Sequence, residues 1–225
     1  MTAATIVFDL DGTLVNTAPD LIASLNYTIA AAGLAPVTYD DLTHLVGQGA
    51  KVMIERAFAL RGIMLAPQAL PPMLSRFVDH YLETMPGDST PFPGLPEALV
   101  RLADSGFILA VCTNKLENLA VPLMDKLGLA GHFAAITGGD TFAMRKPAAG
   151  HLIGTIERAG GDPGYAIMVG DSDNDILAAR NAGIPSIAVP FGYSGEPIES
   201  LGADRIIHHF DELTAELVRE MLEAR

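Results

Sequence analysis

Two acids one residue apart, Asp9 and Asp11, close an apolar run and are followed at once by Gly12-Thr13. Residues 5–8 predict a buried strand, because a short β-branched and aromatic run with a turn signal behind it suits a strand better than a helix. Side-chain direction in a strand repeats every two residues, so both carboxylates should point to one side where the strand ends. Like charges held that close are costly unless a cation or a shared proton offsets them. At the carboxyl end of a strand, such a pair predicts a metal, acid–base chemistry, or both. Asp-Gly alone is an ordinary turn. The weight comes from three further loops, which carry Thr113-Asn114, Lys146-Pro147 and Gly170-Asp171-Ser172-Asp173-Asn174-Asp175. Each of these alone fits a turn, a solvated loop or a helix cap with acids at its N-terminus; their joint occurrence is the signal.

The elements that must position these groups follow from periodicity. Thr17-Ala18-Pro19-Asp20 reads as a helix start, with Thr17 as cap, Pro19 in the first turn and Asp20 completing a capping box. Leu21, Ile22, Leu25 and Ile29 continue it at helical spacing. Further helices are expected over about 39–45, 49–61 and 67–84, with no strand among them. Beyond Pro86-Gly87 and Pro91-Phe92-Pro93-Gly94 the pattern turns to alternation. Strands are predicted at 107–112, 134–137, 166–169, 186–189 and 205–208, with helices over 95–105, 116–127, 148–159, 174–182 and 211–223. Alternation of this kind predicts a doubly wound parallel, Rossmann-like α/β sheet built with right-handed crossovers. The first strand must join that sheet. Residues 1–15 and 87–225 are therefore expected to form the core, and 16–86 an inserted all-helical cap over the carboxyl edge, where open α/β sheets bind ligands.

Composition excludes several functions. The chain has 225 residues, nearly half of them hydrophobic, and a net charge of −13 with no basic run. A nucleic-acid or anionic-membrane partner is not expected, and an anionic ligand must be held by local cations and backbone amides. Cys112 is the single cysteine, so no internal disulfide forms and a reducing compartment fits. It reads as a packed strand residue rather than a nucleophile. No signal peptide and no spanning segment are read, so a cytoplasmic location is expected.

Phe8-Asp9-Leu10-Asp11-Gly12-Thr13-Leu14 resembles the first motif of the haloacid dehalogenase superfamily of phosphohydrolases, and the other three loops resemble its remaining motifs in order. The resemblance spans nearly the whole core and implies a helical cap of the inserted type. It implies that Asp9 is the nucleophile of an aspartyl-phosphate mechanism, which splits one difficult displacement into two easier ones. Mg²⁺ would bind an Asp9 oxygen, the Asp11 backbone carbonyl and Asp171, with Asp175 orienting those ligands without binding. Asp11 would serve as general acid and base, its crowding by other carboxylates favouring the protonated form at the start. Thr113 would hydrogen-bond a phosphoryl oxygen, helped by Asn114 and by backbone N–H groups after Asp11 (Gly12) and after Thr113. Lys146 would neutralise charge on Asp9 and the phosphate. A dehalogenase would lack the acid at position 11, and sugar-phosphate mutases usually carry valine where Thr13 stands, so hydrolysis of a phosphomonoester is expected.

Asn16-Thr17-Ala18-Pro19-Asp20-Leu21, Val46-Gly47-Gln48-Gly49-Ala50, Cys112-Thr113-Asn114-Lys115 and Phe191-Gly192-Tyr193 are similar to the phosphoglycolate phosphatase branch. Gly47 and Gly49, opening a helix, could present amides to a small carboxylate, or simply make a tight turn between helices. Lys51, Arg56 and Lys115 are further cations near the cleft, Arg56 reading rather as solvated surface. Ala148-Ala149-Gly150 departs from the family's second proline after Lys146-Pro147, and Gly150 weakens that helix start. The competing expectations are a phosphatase of broad sugar-phosphate or pyrophosphate range, a phosphomutase, and a non-catalytic ligand sensor on the same fold.

Overall fold

A computed structural model describes residues 3–39, 41 and 49–224. Strand β1 (Thr5–Phe8) is buried on both faces, as its unbroken apolar run requires. It is followed by β2 (Val15–Asn16) and then by three helices, α1 (Ala18–Ala30), α2 (Ala50–Ala59) and α3 (Leu70–Thr84). After β3 (Thr90–Pro91) come α4 (Leu95–Asp104), β4 (Ile108–Cys112), α5 (Glu117–Lys126), β5 (Ala135–Thr137) and α6 (Ala149–Arg158). The chain then closes with β6 (Ala166–Gly170), α7 (Asp173–Ala182), β7 (Ser186–Ala188), β8 (Arg205–Ile206) and α8 (Ala215–Glu223).

Six strands pair in parallel in the order β5-β4-β1-β6-β7-β8. Sequence order reverses between β1 and β6, which is the switch point where such sheets open a crevice. Phe8 lies opposite Val111 on one side and Val169 on the other. Asp9, Thr113 and Asp171 therefore leave the sheet at nearly one level along its carboxyl edge. Alternate side chains feed two cores. Ile6, Phe8, Val111 and Val169 join Leu99, Leu102, Leu119 and Val218 on one face, while Val7, Cys112 and Met168 meet Leu152, Ile156 and Ala179 on the other.

α1 does not start as its sequence suggests. Thr17 makes no capping bond; its hydroxyl donates to Asp11 at 2.6 Å instead. Asp20 turns away from the helix start and accepts the backbone N–H groups of Asp88 at 3.0 Å and Ser89 at 3.2 Å. The capping box is lost because both side chains find partners elsewhere in the fold. Two strands escaped the sequence reading. β2 and β3 pair antiparallel, Val15 with Pro91 and Asn16 with Thr90, and a ladder two residues long has no periodicity to find. By contrast α7 begins with the full reciprocal box between Ser172 and Asp175 and ends on Gly183 in the left-handed conformation. α6 forms despite Gly150, whose missing side chain leaves room for Met144. The terminal helix starts at Ala215, later than expected, after a short turn of helix at Phe210–Glu212. Gly47, and all of the helix expected over 39–45 except Tyr39 and Asp41, lie outside the described residues.

Candidate active site

The loop after β1 folds so that Asp9 is buried beside the switch point. Lys146 Nζ lies 2.8 Å from Asp9 Oδ1 and 2.6 Å from Asp175 Oδ1, and is itself almost completely enclosed. Asp175 also accepts the backbone N–H of Ser172 at 3.0 Å and its hydroxyl at 2.7 Å, so one carboxylate both starts α7 and holds Lys146. Asp171 accepts the Thr13 hydroxyl at 2.8 Å and the Tyr193 N–H at 2.8 Å. This arrangement leaves no space for side chains nearby. A Cβ on Gly12 would sit 2.5 Å from Asp171 Oδ2, and one on Gly192 would sit 2.3 Å from the same atom. Gly12 also has φ +89, a region L side chains avoid.

Lys146 pairs with two of three buried carboxylates, Asp9 and Asp175, and the electrostatics show the imbalance. Burial pushes Asp9 up to about 7, with Lys146 opposing the shift and Asp175 reinforcing it. Burial, then Asp175 and Asp9, hold Asp171 well above the usual carboxylate range. Burial works against the charge on Lys146, but Asp175 and Asp9 outweigh it and hold the ammonium above its ordinary value. Asp9, Asp171 and Asp175 each offer a carboxylate oxygen within 4.8 Å of the others. Asp9 Oδ1 has no aligned hydrogen-bond donor among the described residues, its contact with Lys146 being an ion pair. An all-oxygen set with surplus negative charge and a buried oxygen lacking a donor suits a hard divalent cation. Any of the three could contribute an oxygen; Asp175 already accepts from Lys146 and Ser172, and Asp171 from Thr13 and Tyr193.

Asp11 corrects an expectation. Its Oδ1 is paired with a cation, facing Lys115 Nζ at 2.9 Å and the Thr17 hydroxyl at 2.6 Å. Lys115 is buried, and its Nζ also lies 4.3 Å from the centre of the Tyr81 ring on α3. Burial opposes its charge, but Asp11 and then Tyr81 outweigh burial and keep the ammonium above its ordinary range. Thr113 is buried at the end of β4, where its Oγ1 accepts the Lys115 N–H at 3.1 Å; its own O–H has no acceptor among the described residues. Asn114 Nδ2 donates to the Lys146 carbonyl at 3.1 Å, tying the second and third loops together. The Gly12 N–H donates to the Val15 carbonyl at 3.0 Å rather than opening to the cleft. Gly49, at the start of α2, packs over the Asn114 carbonyl, with φ +84.

Asp9, Asp11, Gly49, Thr113, Asn114 and Lys115 line one cavity, with Leu21, Met53, Phe77 and Leu119 supplying apolar walls. Its enclosed space is about 30 Å³, on the order of one or two waters. Lys51 is not part of it: its ammonium is half exposed, 3.9 Å from Glu55. Cys112 is a buried thiol pushed up to about 11 by burial, which fits the packed-strand reading. Two supporting residues were missed. Tyr193 Oη donates to Asn16 Oδ1 and accepts the Ala18 N–H, joining the loop after β7 to the start of α1. His151 accepts the Lys146 N–H at 3.2 Å on Nδ1, inside the core. The sequence held a cue only for Tyr193, in Phe191-Gly192-Tyr193.

With that geometry in hand, the comparisons with known proteins are specific. The family model described as haloacid dehalogenase-like hydrolase matches residues 6–189. A phosphoglycolate phosphatase of Agrobacterium fabrum is 62% identical over 216 residues, covering 96% of this chain and 93% of that protein. A phosphoglycolate phosphatase of Mesorhizobium japonicum is 48% identical, covering 100% of this chain and 99% of its own length. Among solved structures, a predicted phosphoglycolate phosphatase from Haemophilus somnus superposes with a TM-score of 0.87 at 30% identity, covering 95% of this chain and 97% of that one. CbbY from Rhodobacter sphaeroides, in complex with phosphate, superposes with a TM-score of 0.80 at 27% identity, covering 95% and 96%.

Proposed function

The chain belongs to the haloacid dehalogenase-like hydrolases and is a phosphatase, and from that premise we propose that it hydrolyses 2-phosphoglycolate through a phosphorylated Asp9, with Mg²⁺ as cofactor. The observation that carries the mechanism is the buried Asp9 carboxylate beside Lys146, with an acid two residues on and the Thr113 hydroxyl free to donate. An Asp9 oxygen attacks phosphorus, and the bond to the substrate's ester oxygen breaks. Asp11, having first taken up a proton from solvent, gives it to that leaving oxygen. Asp11 then takes a proton from a water that attacks the acyl phosphate, and Asp9 and inorganic phosphate are released. Lys146 and Thr113 would neutralise and hydrogen-bond the phosphoryl oxygens. Asp9, Asp171 and the Asp11 carbonyl would hold the Mg²⁺, which supplies charge neutralisation between two anions that must meet. Asp175 would keep Lys146 and the loop after β6 in place.

Residues 16–86 act in this reading as a cap, hinged at the β2–β3 ribbon, over a core of 1–15 and 87–225. Its support is the small cavity between the helices and the sheet edge, which fits access by a lifting of the helices. The substrate reading rests on the relatives' names and on the small, partly apolar cavity. Gly49 at the start of α2 would then face the carboxylate.

The test is acid-quench trapping with radiolabelled substrate. The wild-type chain with Mg²⁺ should acquire label on Asp9, and Asp9→Asn should lose at least ~10³-fold in turnover with no label. Asp11→Asn should form the phosphoenzyme poorly or retain it. Full turnover by Asp9→Asn would remove the covalent route. A panel of 2-phosphoglycolate, sugar phosphates and pyrophosphate would expose a broader range.

A further inference from the structure

Lys115 was placed in the sequence only as a cation near the cleft, and the mechanism above gives it no role. Yet it is the one basic side chain among the described residues that line the cavity. Lys146 is committed on two sides, to Asp9 and Asp175. Lys115 has one carboxylate, Asp11 at 2.9 Å, and one ring face, Tyr81. With a single carboxylate as counter-ion, Lys115 can exchange it for another. The same residue carries a hydroxyl, Tyr81 Oη, that is buried with no aligned hydrogen-bond partner among the described residues and lies close enough to Lys115 to favour its charge. Gly49 brings the start of α2 to the same cavity from the other side. The apolar walls, Leu21, Met53, Phe77 and Leu119, offer a sugar hydroxyl no partner.

We propose that Lys115 is the specificity-determining residue: it binds a second anionic group on the substrate, a carboxylate close to the phosphate, and in doing so lets go of Asp11. This rests on the phosphatase reading of the same site and deepens it. In the closed structure the Lys115–Asp11 pair occupies the acid's Oδ1. An entering carboxylate competes for the same ammonium, so a substrate that carries one frees the acid it needs, and a substrate lacking it leaves Asp11 paired. Selectivity is then expressed partly in kcat, which simple binding of a carboxylate would not do.

The experiment compares kcat/KM for 2-phosphoglycolate and its neutral isostere 2-phosphoglycolamide in wild type, Lys115→Met, Lys115→Gln, Lys115→Arg and Tyr81→Phe, with circular dichroism as the check on folding. Wild type should prefer the acid by about 30-fold, the scale of one charged hydrogen bond. Lys115→Met and Lys115→Gln should bring that preference to within about 3-fold, Lys115→Arg should keep most of it, and Tyr81→Phe should lose part of it. Equal loss on both compounds would mean that Lys115 merely holds Asp11, and overturns the proposal. So does a wild type that treats the two compounds alike, a result that needs no variant to fold and leaves the phosphatase reading standing. Hydrolysis of neither compound overturns the substrate reading and this one with it.

Discussion

At the scale of single residues the site is governed by one ammonium paired with two acids, Asp9 and Asp175. Lys146 is held from the backbone as well, because its N–H donates to His151 Nδ1, and that acceptor exists only while the imidazole lacks a proton there. Burial, then the nearby Lys146 charge, lowers His151 to about 4 from an ordinary 6.5. The sign follows. Above pH 6.5 both folded and unfolded chains carry neutral His151, and there is no effect. Between 6.5 and about 4 the unfolded chain takes up a proton that the folded one refuses, so stability falls as pH falls. The loss should be about 2 kcal/mol between pH 6.5 and 5. Urea unfolding of wild type and His151→Gln at both pH values measures it: the variant should lack this slope, and parallel pH dependence in the two proteins would refute the assignment. Subtracting the variant removes the acids' own contribution, since burial raises Asp9 and Asp171 in both proteins.

At the scale of elements, the two chain crossings between sheet and helices behave as one unit. β2 pairs with β3, the Phe92 N–H donates to the Leu14 carbonyl at 3.0 Å, and Asp20 from α1 gathers the N–H groups of Asp88 and Ser89. Gly87 makes this approach possible, since a Cβ there would sit 2.2 Å from Asp20 Oδ1. Asp20 is buried, so its removal strands the partners rather than exposing them. Asp20→Ala should cost about 2 kcal/mol of stability by denaturant unfolding. It should also speed hydrogen exchange at Asp88 and Ser89. A change below about 0.5 kcal/mol would show that the ribbon holds without the carboxylate.

At the scale of the whole molecule, α3 and α5 meet across the boundary between helices and core, and Lys126 Nζ reaches the Met85 carbonyl at 2.7 Å. The apolar cluster runs without a break from the sheet face through Leu21, Met53 and Phe77. In the proposed reading substrate enters by an opening motion that separates Tyr81 from Lys115. Backbone amides of residues 15–17 and 88–92 should therefore exchange faster than those of β1 and β6. Exchange there should slow when Mg²⁺ and orthovanadate are added together. Uniform protection across ribbon and sheet, with or without that pair, would argue for entry without opening.

Much of this was legible in the residues. Thr5–Phe8 is the strand the apolar run predicts, Gly183 ends the helix it should end, and Asp9, Thr113 and Asp171 sit at strand ends in the order their loops announce. These features are local: a period of two, a capping pair or a turn signal is contained within a few residues. Thr17 and Asp20 are the counterexample. Their spacing spells a capping box, but Asp11 and Ser89 offer partners that a helix start could not outbid. The pairing of Lys115 with Asp11, the tie from Tyr193 to Ala18 and the ring of Tyr81 over Lys115 join residues far apart in the chain. Only the packed sheet and helices determine those distances, because a side chain's choice among partners depends on which ones folding brings within reach.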